Sequence, residues 1–256
     1  MKLKCVWVLV LIINTVLFAN NAVNYEKTID FESDYEESIR WMEEDNGELL
    51  LAGFSNSKEG NGGYDFLLKK VDLLGNIKWE KFYGSTNDER GYVIKKIPGG
   101  LIFGGAILSA NYDELRSNGR WDGLLIKLDS NGNILWKKNY GGDTGDSIRD
   151  VIFTKDGGLL FCGYTFSKSY DEHHGGKDFW VVKTNYLGEV QWEKVLGGSN
   201  YDMAYSAVQT NDNQYVVAGY SFSNNGDLTG LKNHGGGDYW VIKLDQQGEI
   251  VWSKLY

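Results

Sequence analysis

One phrase returns four times along this chain and limits what it can fold into. It reads "DLLGNIKWEKFYG" from Asp72, "DSNGNILWKKNYG" from Asp129, "NYLGEVQWEKVLG" from Asn185 and "DQQGEIVWSKLY" from Asp245. Its tryptophans, Trp79, Trp136, Trp192 and Trp252, are spaced 57, 56 and 60 residues apart. A unit of this size repeated in tandem cannot bury its apolar face alone, so it must bury it against its neighbours.

Each unit carries four strand candidates. In the third they are "SIRDVIF", "LLFCGYTF", "DFWVVKT" and "EVQWEKV", here called A, B, C and D. They are rich in β-branched and aromatic residues and are separated by glycine-bearing turns such as "TKDGG" and "NYLGE". The whole composition agrees, with 33 glycines, one proline and 14% aromatic residues. Spacing inside the unit is uneven. Asp65, Asp122, Asp178 and Asp238 open the C strands, each 14 residues before its tryptophan. From the strand-B glycines Gly53, Gly105, Gly163 and Gly219 to these aspartates the counts are 12, 17, 15 and 19, so length variation collects in the B–C loop. The C strands "DFLLKKV", "DGLLIKL", "DFWVVKT" and "DYWVIKL" are too apolar to face water on either side. Stacked blades bury both faces. The expected fold is therefore all-β, a β-propeller of about four four-stranded antiparallel blades, closed or left as an open or partial ring.

The phrase D-x-x-G-x-x-x-W, clearest at Leu128 to Trp136, resembles the docking motif of quinoprotein-like propellers. That resemblance implies that Trp79, Trp136, Trp192 and Trp252 pack each blade onto the next. The whole unit is similar to secreted bacterial propeller repeats of cell-surface proteins, over roughly Tyr25 to Tyr256. The resemblance does not reach a cofactor: the vicinal cysteine pair of quinoproteins cannot form here, and no cofactor is expected. The segment "NYEKTIDF" aligns with strand D, with Tyr25 at the tryptophan position. One terminal D segment is therefore expected to complete the first blade or cover an edge. An unclosed array would instead pair with another chain through its edge strands.

The first residues, "MKLKCVWVLVLIINTVLFANNA", have a basic start, an apolar run and small residues. They read as a signal peptide over residues 1–22, cleaved after Ala19 or Ala22, ahead of a propeller domain over 23–256. Export to the periplasm, cell surface or medium follows, with no stable membrane span after cleavage. Cys162 would be the single remaining cysteine, read as a small buried hydrophobe. A net charge of −9 argues against nucleic acid or anionic lipid as partner.

Two acidic sets are candidate site residues. The C-strand aspartates Asp65, Asp122, Asp178 and Asp238 follow an Asn or His by four residues, as in "NGGYD", "NGRWD", "HGGKD" and "HGGGD". They read as loop-fixing residues. A metal is not expected, because His174 and His234 fall in successive blades. The second set, Glu36, Asp88, Asp146 and Asp202, precedes strand A. In an up-and-down blade the D–A and B–C loops share a face, so both sets gather there. Tyr112, Trp121 and Tyr170 in the B–C loops read as exposed aromatics able to stack on sugars. Lys70, Lys127, Lys183 and Lys243 read as solvated or inter-blade ion-pairing residues. No nucleophile elbow, catalytic triad order or phosphate loop is present. The function expected is a non-enzymatic binding or scaffold protein at the cell surface or envelope, recognising a protein or glycan on that face. The alternative is a propeller-type carbohydrate-active enzyme using the acids there.

Overall fold

The computed structural model describes residues 37–108, 115 and 119–256. The expected signal peptide, Tyr25, Glu36, Tyr112 and Asn118 lie outside them. The described chain is all-β, with four antiparallel sheets of four strands arranged like blades. Blade 1 contains β1 (Glu37–Asp45), β2 (Glu48–Ser55), β3 (Asp65–Asp72) and β4 (Ile77–Tyr83). Blade 2 contains β5 (Glu89–Ile97), β6 (Gly100–Leu108), β7 (Trp121–Leu128) and β8 (Ile134–Tyr140). Blade 3 contains β9 (Asp146–Phe153), β10 (Leu159–Thr165), β11 (Asp178–Thr184) and β12 (Val190–Leu196). Blade 4 contains β13 (Asp202–Gln209), β14 (Tyr215–Ser221), β15 (Asp238–Leu244) and β16 (Ile250–Leu255), with one short 3-10 turn at Gly226–Leu228.

Within each sheet the strands lie in chain order, A to D. Neighbouring blades touch A strand to A strand, β1 on β5, β5 on β9 and β9 on β13. This puts the A strands innermost and the D strands outermost. Among the described residues no strand of blade 4 packs on blade 1 to a comparable extent.

The apolar C strands divide their side chains between two neighbours, as alternation along a strand requires. Leu124, Ile126 and Leu128 of β7 join a core with Leu50, Phe66 and Leu68 of blade 1. Leu125 faces the other way, into a core with Phe161, Trp180 and Val182 of blade 3. A third core joins Phe179 and Val181 to Trp240 and Ile242. Aromatic pairs bridge the first and third of these junctions, Phe66 with Phe103 at 4.6 Å and Phe179 with Trp240 at 4.4 Å between centroids. Fully burying one such side chain contributes about 1.5–3 kcal/mol.

The recurring phrase has a physical reason. Asp72, Asp129, Asn185 and Asp245 each accept backbone N–H bonds from the residues two and four positions on, closing the C–D turn. The glycine three residues after each has φ between +74° and +85°, a conformation that disfavours a side chain. From blade 2 onward that glycine also receives the previous blade's strand-D residues. A Cβ on Gly132 would lie 3.4 Å from the Trp79 ring, one on Gly188 3.1 Å from Trp136 and one on Gly248 2.9 Å from Trp192. Tyr83 and Tyr140 donate hydroxyl hydrogen bonds to the carbonyls of Gly132 and Gly188. Blade 3 has Leu196 in place of that tyrosine; there Trp192 Nε1 donates to the carbonyl of Gln246 at 2.9 Å.

Strand A is bulged in every blade. Arg40, Tyr92, Arg149 and Tyr205 are left out of the pairing opposite the strand-B glycines Gly53, Gly105, Gly163 and Gly219. A Cβ on any of these glycines would fall within 2.0 Å of a strand-A carbonyl oxygen. The bulge explains why strand B keeps a glycine at its centre.

Three of the four repeated lysines pair inside their own blades. Lys70 contacts Asp45 at 2.9 Å, Lys183 contacts Asp156 at 2.9 Å and Lys243 contacts Asp212 at 2.8 Å, each acid at the A–B hairpin. Lys127 lies over the Tyr186 ring of blade 3.

Candidate functional site

The D–A and B–C loops meet on one face, tied by hydrogen bonds. Ser167 Oγ accepts from the Thr144 amide, Ser169 Oγ from the Asp143 amide, and Ser223 Oγ from the Asn200 amide. The two acidic sets lie beneath this face and pair across the junctions. The C-strand acid of one blade meets the first strand-A residue of the next: Asp65 with Glu89, Asp122 with Asp146 and Asp178 with Asp202. All six are at most 1% exposed. The strand-A member in blade 2 is Glu89 rather than its neighbour Asp88, and in blade 1 it is Glu37. Asp88 instead accepts the Tyr64 amide.

At the first junction Asp65 Oδ1 and Glu89 Oε2 lie within 2.4 Å of the place a Cβ on Gly84 would occupy. Gly197 is crowded in the same way by Asp178 and Asp202. Glycine after strand D therefore makes room for the carboxyls. Neither Asp65 nor Glu89 has a cationic side chain within ion-pair distance among the described residues. Burial pushes the Glu89 carboxyl up to about 7, against the hydrogen bonds from Ser85 that lower it. Burial likewise raises Asp146 to about 6, and raises Asp65, Asp178 and Asp202. Three buried oxygens, Oδ1 of Asp65, Asp178 and Asp202, have no hydrogen-bond partner. Among the described residues no cluster of three metal-ligating side chains forms.

At the strand-C entrance the amide four residues before the aspartate donates to its carboxylate: Asn61 to Asp65 at 2.8 Å, His174 to Asp178 at 2.7 Å and His234 to Asp238 at 2.9 Å. His174 and His234 remain partly exposed, near Asp227 and Asp238 respectively. The side chain of His173, next to His174, is 5% exposed, its Nε2 3.1 Å from the Gly176 carbonyl oxygen. Tyr170 packs on the core between blades 2 and 3 and does not project as an exposed platform; burial beside Glu193 and Asp146 raises its hydroxyl pKa far above the usual range.

Trp121 is placed differently. It begins β7 and bridges to Gly145, at the rim of a cleft of about 660 Å³ between blades 2 and 3. Arg90, Arg120, Tyr164, Phe166 and Lys168 line the same cleft. The volume falls in the range of small-molecule sites. Arg90 lies 5.3 Å over Trp121 and 5.2 Å over Tyr64; Arg149 lies 3.9 Å over Tyr92 and 5.1 Å over Tyr164. Lys177 continues the stack over Tyr164 and Phe166. Such cation–ring contacts contribute roughly 0.5–2 kcal/mol each.

The lining of this cleft is therefore largely basic and aromatic, although the chain carries a net charge of −9. The sequence reading missed Arg90, Tyr92, Arg149 and Tyr164. One signal was available: the third residue after each strand-A acid reads Arg40, Tyr92, Arg149, Tyr205, an alternation of cation and ring. The chain matches no known protein-family model and no curated protein.

Proposed function

We propose that this chain is an exported, non-enzymatic binding module that holds a glycan in the cleft between blades 2 and 3. The observation that carries the reading is the cleft itself, in which the Trp121, Tyr164 and Phe166 rings stand beside Arg90, Arg120 and Lys168. Aromatic faces pack against the apolar C–H faces of sugars, while guanidinium and ammonium groups fix orientation. Export rests on the apolar N-terminal sequence and the resemblance to secreted propeller repeats. Among the described residues no helix is long and apolar enough to cross a membrane.

A second reading, a carbohydrate-active enzyme, draws on Asp146, which lines the cleft and holds its proton to about pH 6. Its oxygens already accept hydrogen bonds from the Gly142 amide and Ser167 Oγ, and equivalent carboxyl pairs recur at the other two junctions. That repetition favours a structural part for it. The test is a glycan screen with residues 23–256, followed by Trp121→Ala. Binding lost with an unchanged melting curve supports the assignment. Wild-type binding by Trp121→Ala, with loss instead on changing the opposite-face turns at Asn131 and Gln246, overturns it. Release of reducing ends that Asp146→Asn abolishes would select the enzyme.

A further inference from the structure

We propose that the cleft selects glycans bearing oxyanions, carboxylate or sulfate, through Arg120 and Lys168 at its rim and Arg90 in its wall; the inference rests on the glycan-binding reading above. Three cations converge on one opening in a chain whose acids outnumber its bases by 9. The carboxyl lining the same cleft, Asp146, is 1% exposed and its oxygens are occupied by Gly142 and Ser167, so it leaves the cations free to meet a ligand. Arg120 and Lys168 are exposed and form no ion pair among the described residues.

Arg90 is held for this purpose by its rings. Trp121, Tyr64 and Phe54 face its guanidinium at 5.2–5.8 Å. Face contacts of this kind leave the in-plane N–H groups unspent. Its Nε is buried without an acceptor, and its contact with Asp88 is long, at 3.7 Å. Arg149, the next cation in the stack, also has a buried Nε without an acceptor. The Arg90 side chain as a whole is 38% exposed, so its outer N–H groups can still reach an acceptor in the cleft. A guanidinium fork suits an oxyanion geometrically, and the adjacent rings suit a pyranose face. Neutral glycans would satisfy the rings and leave the donors unmet.

The test is calorimetric titration of residues 23–256 with oligogalacturonate, a chondroitin sulfate oligosaccharide and maltohexaose, at low and physiological salt. The expected result is binding of at least one anionic oligosaccharide at least tenfold tighter than maltohexaose. Raising the salt should weaken it, and so should Arg120→Gln and Lys168→Gln, two exposed substitutions that leave the melting temperature in place. The carboxylated and sulfated arms identify which oxyanion is preferred. Equal or tighter binding of maltohexaose, untouched by Arg120→Gln and Lys168→Gln and lost in Trp121→Ala, overturns the oxyanion inference and keeps the glycan site. Absence of binding to all three, with a broad glycan screen also negative, overturns both.

Discussion

Phe179 and Tyr239 occupy the same place in successive blades, the residue after the aspartate that opens strand C. Phe179 is fully buried against Trp240, whereas Tyr239 is 74% exposed. The contrast extends across the sheet. Leu160, Cys162 and Val181 are fully buried in blade 3, while their counterparts Val216, Ala218 and Val241 in blade 4 are only partly covered. The side chains are similar and the strands are paired alike, so the difference comes from the neighbour. Each blade's outer face is made into core by the blade that follows, as expected when stability resides in nearest-neighbour interfaces.

The largest effect should come from breaking that comparison directly. Phe179→Ala removes a ring from a closed junction and should cost about 3–5 kcal/mol. In a chain of this size that lowers the melting temperature by roughly 6–20 °C. The same contrast separates the tryptophans. Trp136 lies against the next blade's turn, while Trp252 has no following turn among the described residues. Trp136→Ala should therefore cost about 2–4 kcal/mol and Trp252→Ala about 1 kcal/mol or less. Equal melting curves for these two variants would sink the docking assignment.

The buried carboxyls give a smaller effect with a defined sign. Glu89 titrates near 7 in the folded chain against 4.5 as its ordinary value, and Asp146 near 6 against 3.8. The folded state thus binds more protons between those limits, and stability must fall as pH rises through that window. From about pH 4.5 to 7 the loss attributable to Glu89 is on the order of 2–3 kcal/mol. Glu89→Gln should flatten the profile of unfolding free energy against pH. A profile that rises over this range would contradict the buried pairing of Asp65 with Glu89. The smallest effect belongs to Tyr239→Ala, expected within about 0.5 kcal/mol because its ring is already in water. A large loss there would mean that something covers blade 4 in solution.

The fold was legible because the repeat spacing and the doubly apolar C strands leave few alternatives, and each constraint is local. Asp129 closing its turn, Gly132 in its left-handed conformation and Trp136 seven residues after the aspartate can be read without knowing a single long-range contact. The site was less legible. Asp88 and Glu89 are adjacent and both acidic, so composition alone could not tell which enters the ladder; the bulge register decides for Glu89. Tyr170 looked like a platform because loops are usually exposed, yet its ring packs into the junction core. The cleft escaped because Arg90 and Tyr92 lie far along the chain from Arg149 and Tyr164, and overall negative charge hides a local cationic stack.

The strand-A bulge sets apart four positions that the hydrogen-bond ladder does not constrain. At Arg40, Tyr92, Arg149 and Tyr205 the pairing skips a residue, and the glycine opposite absorbs the misfit. Substitution there should leave the register of the four sheets as it is. The array thus offers one editable letter per repeat, all on its innermost strands, where side chains can differ from blade to blade without rewriting the architecture that carries them.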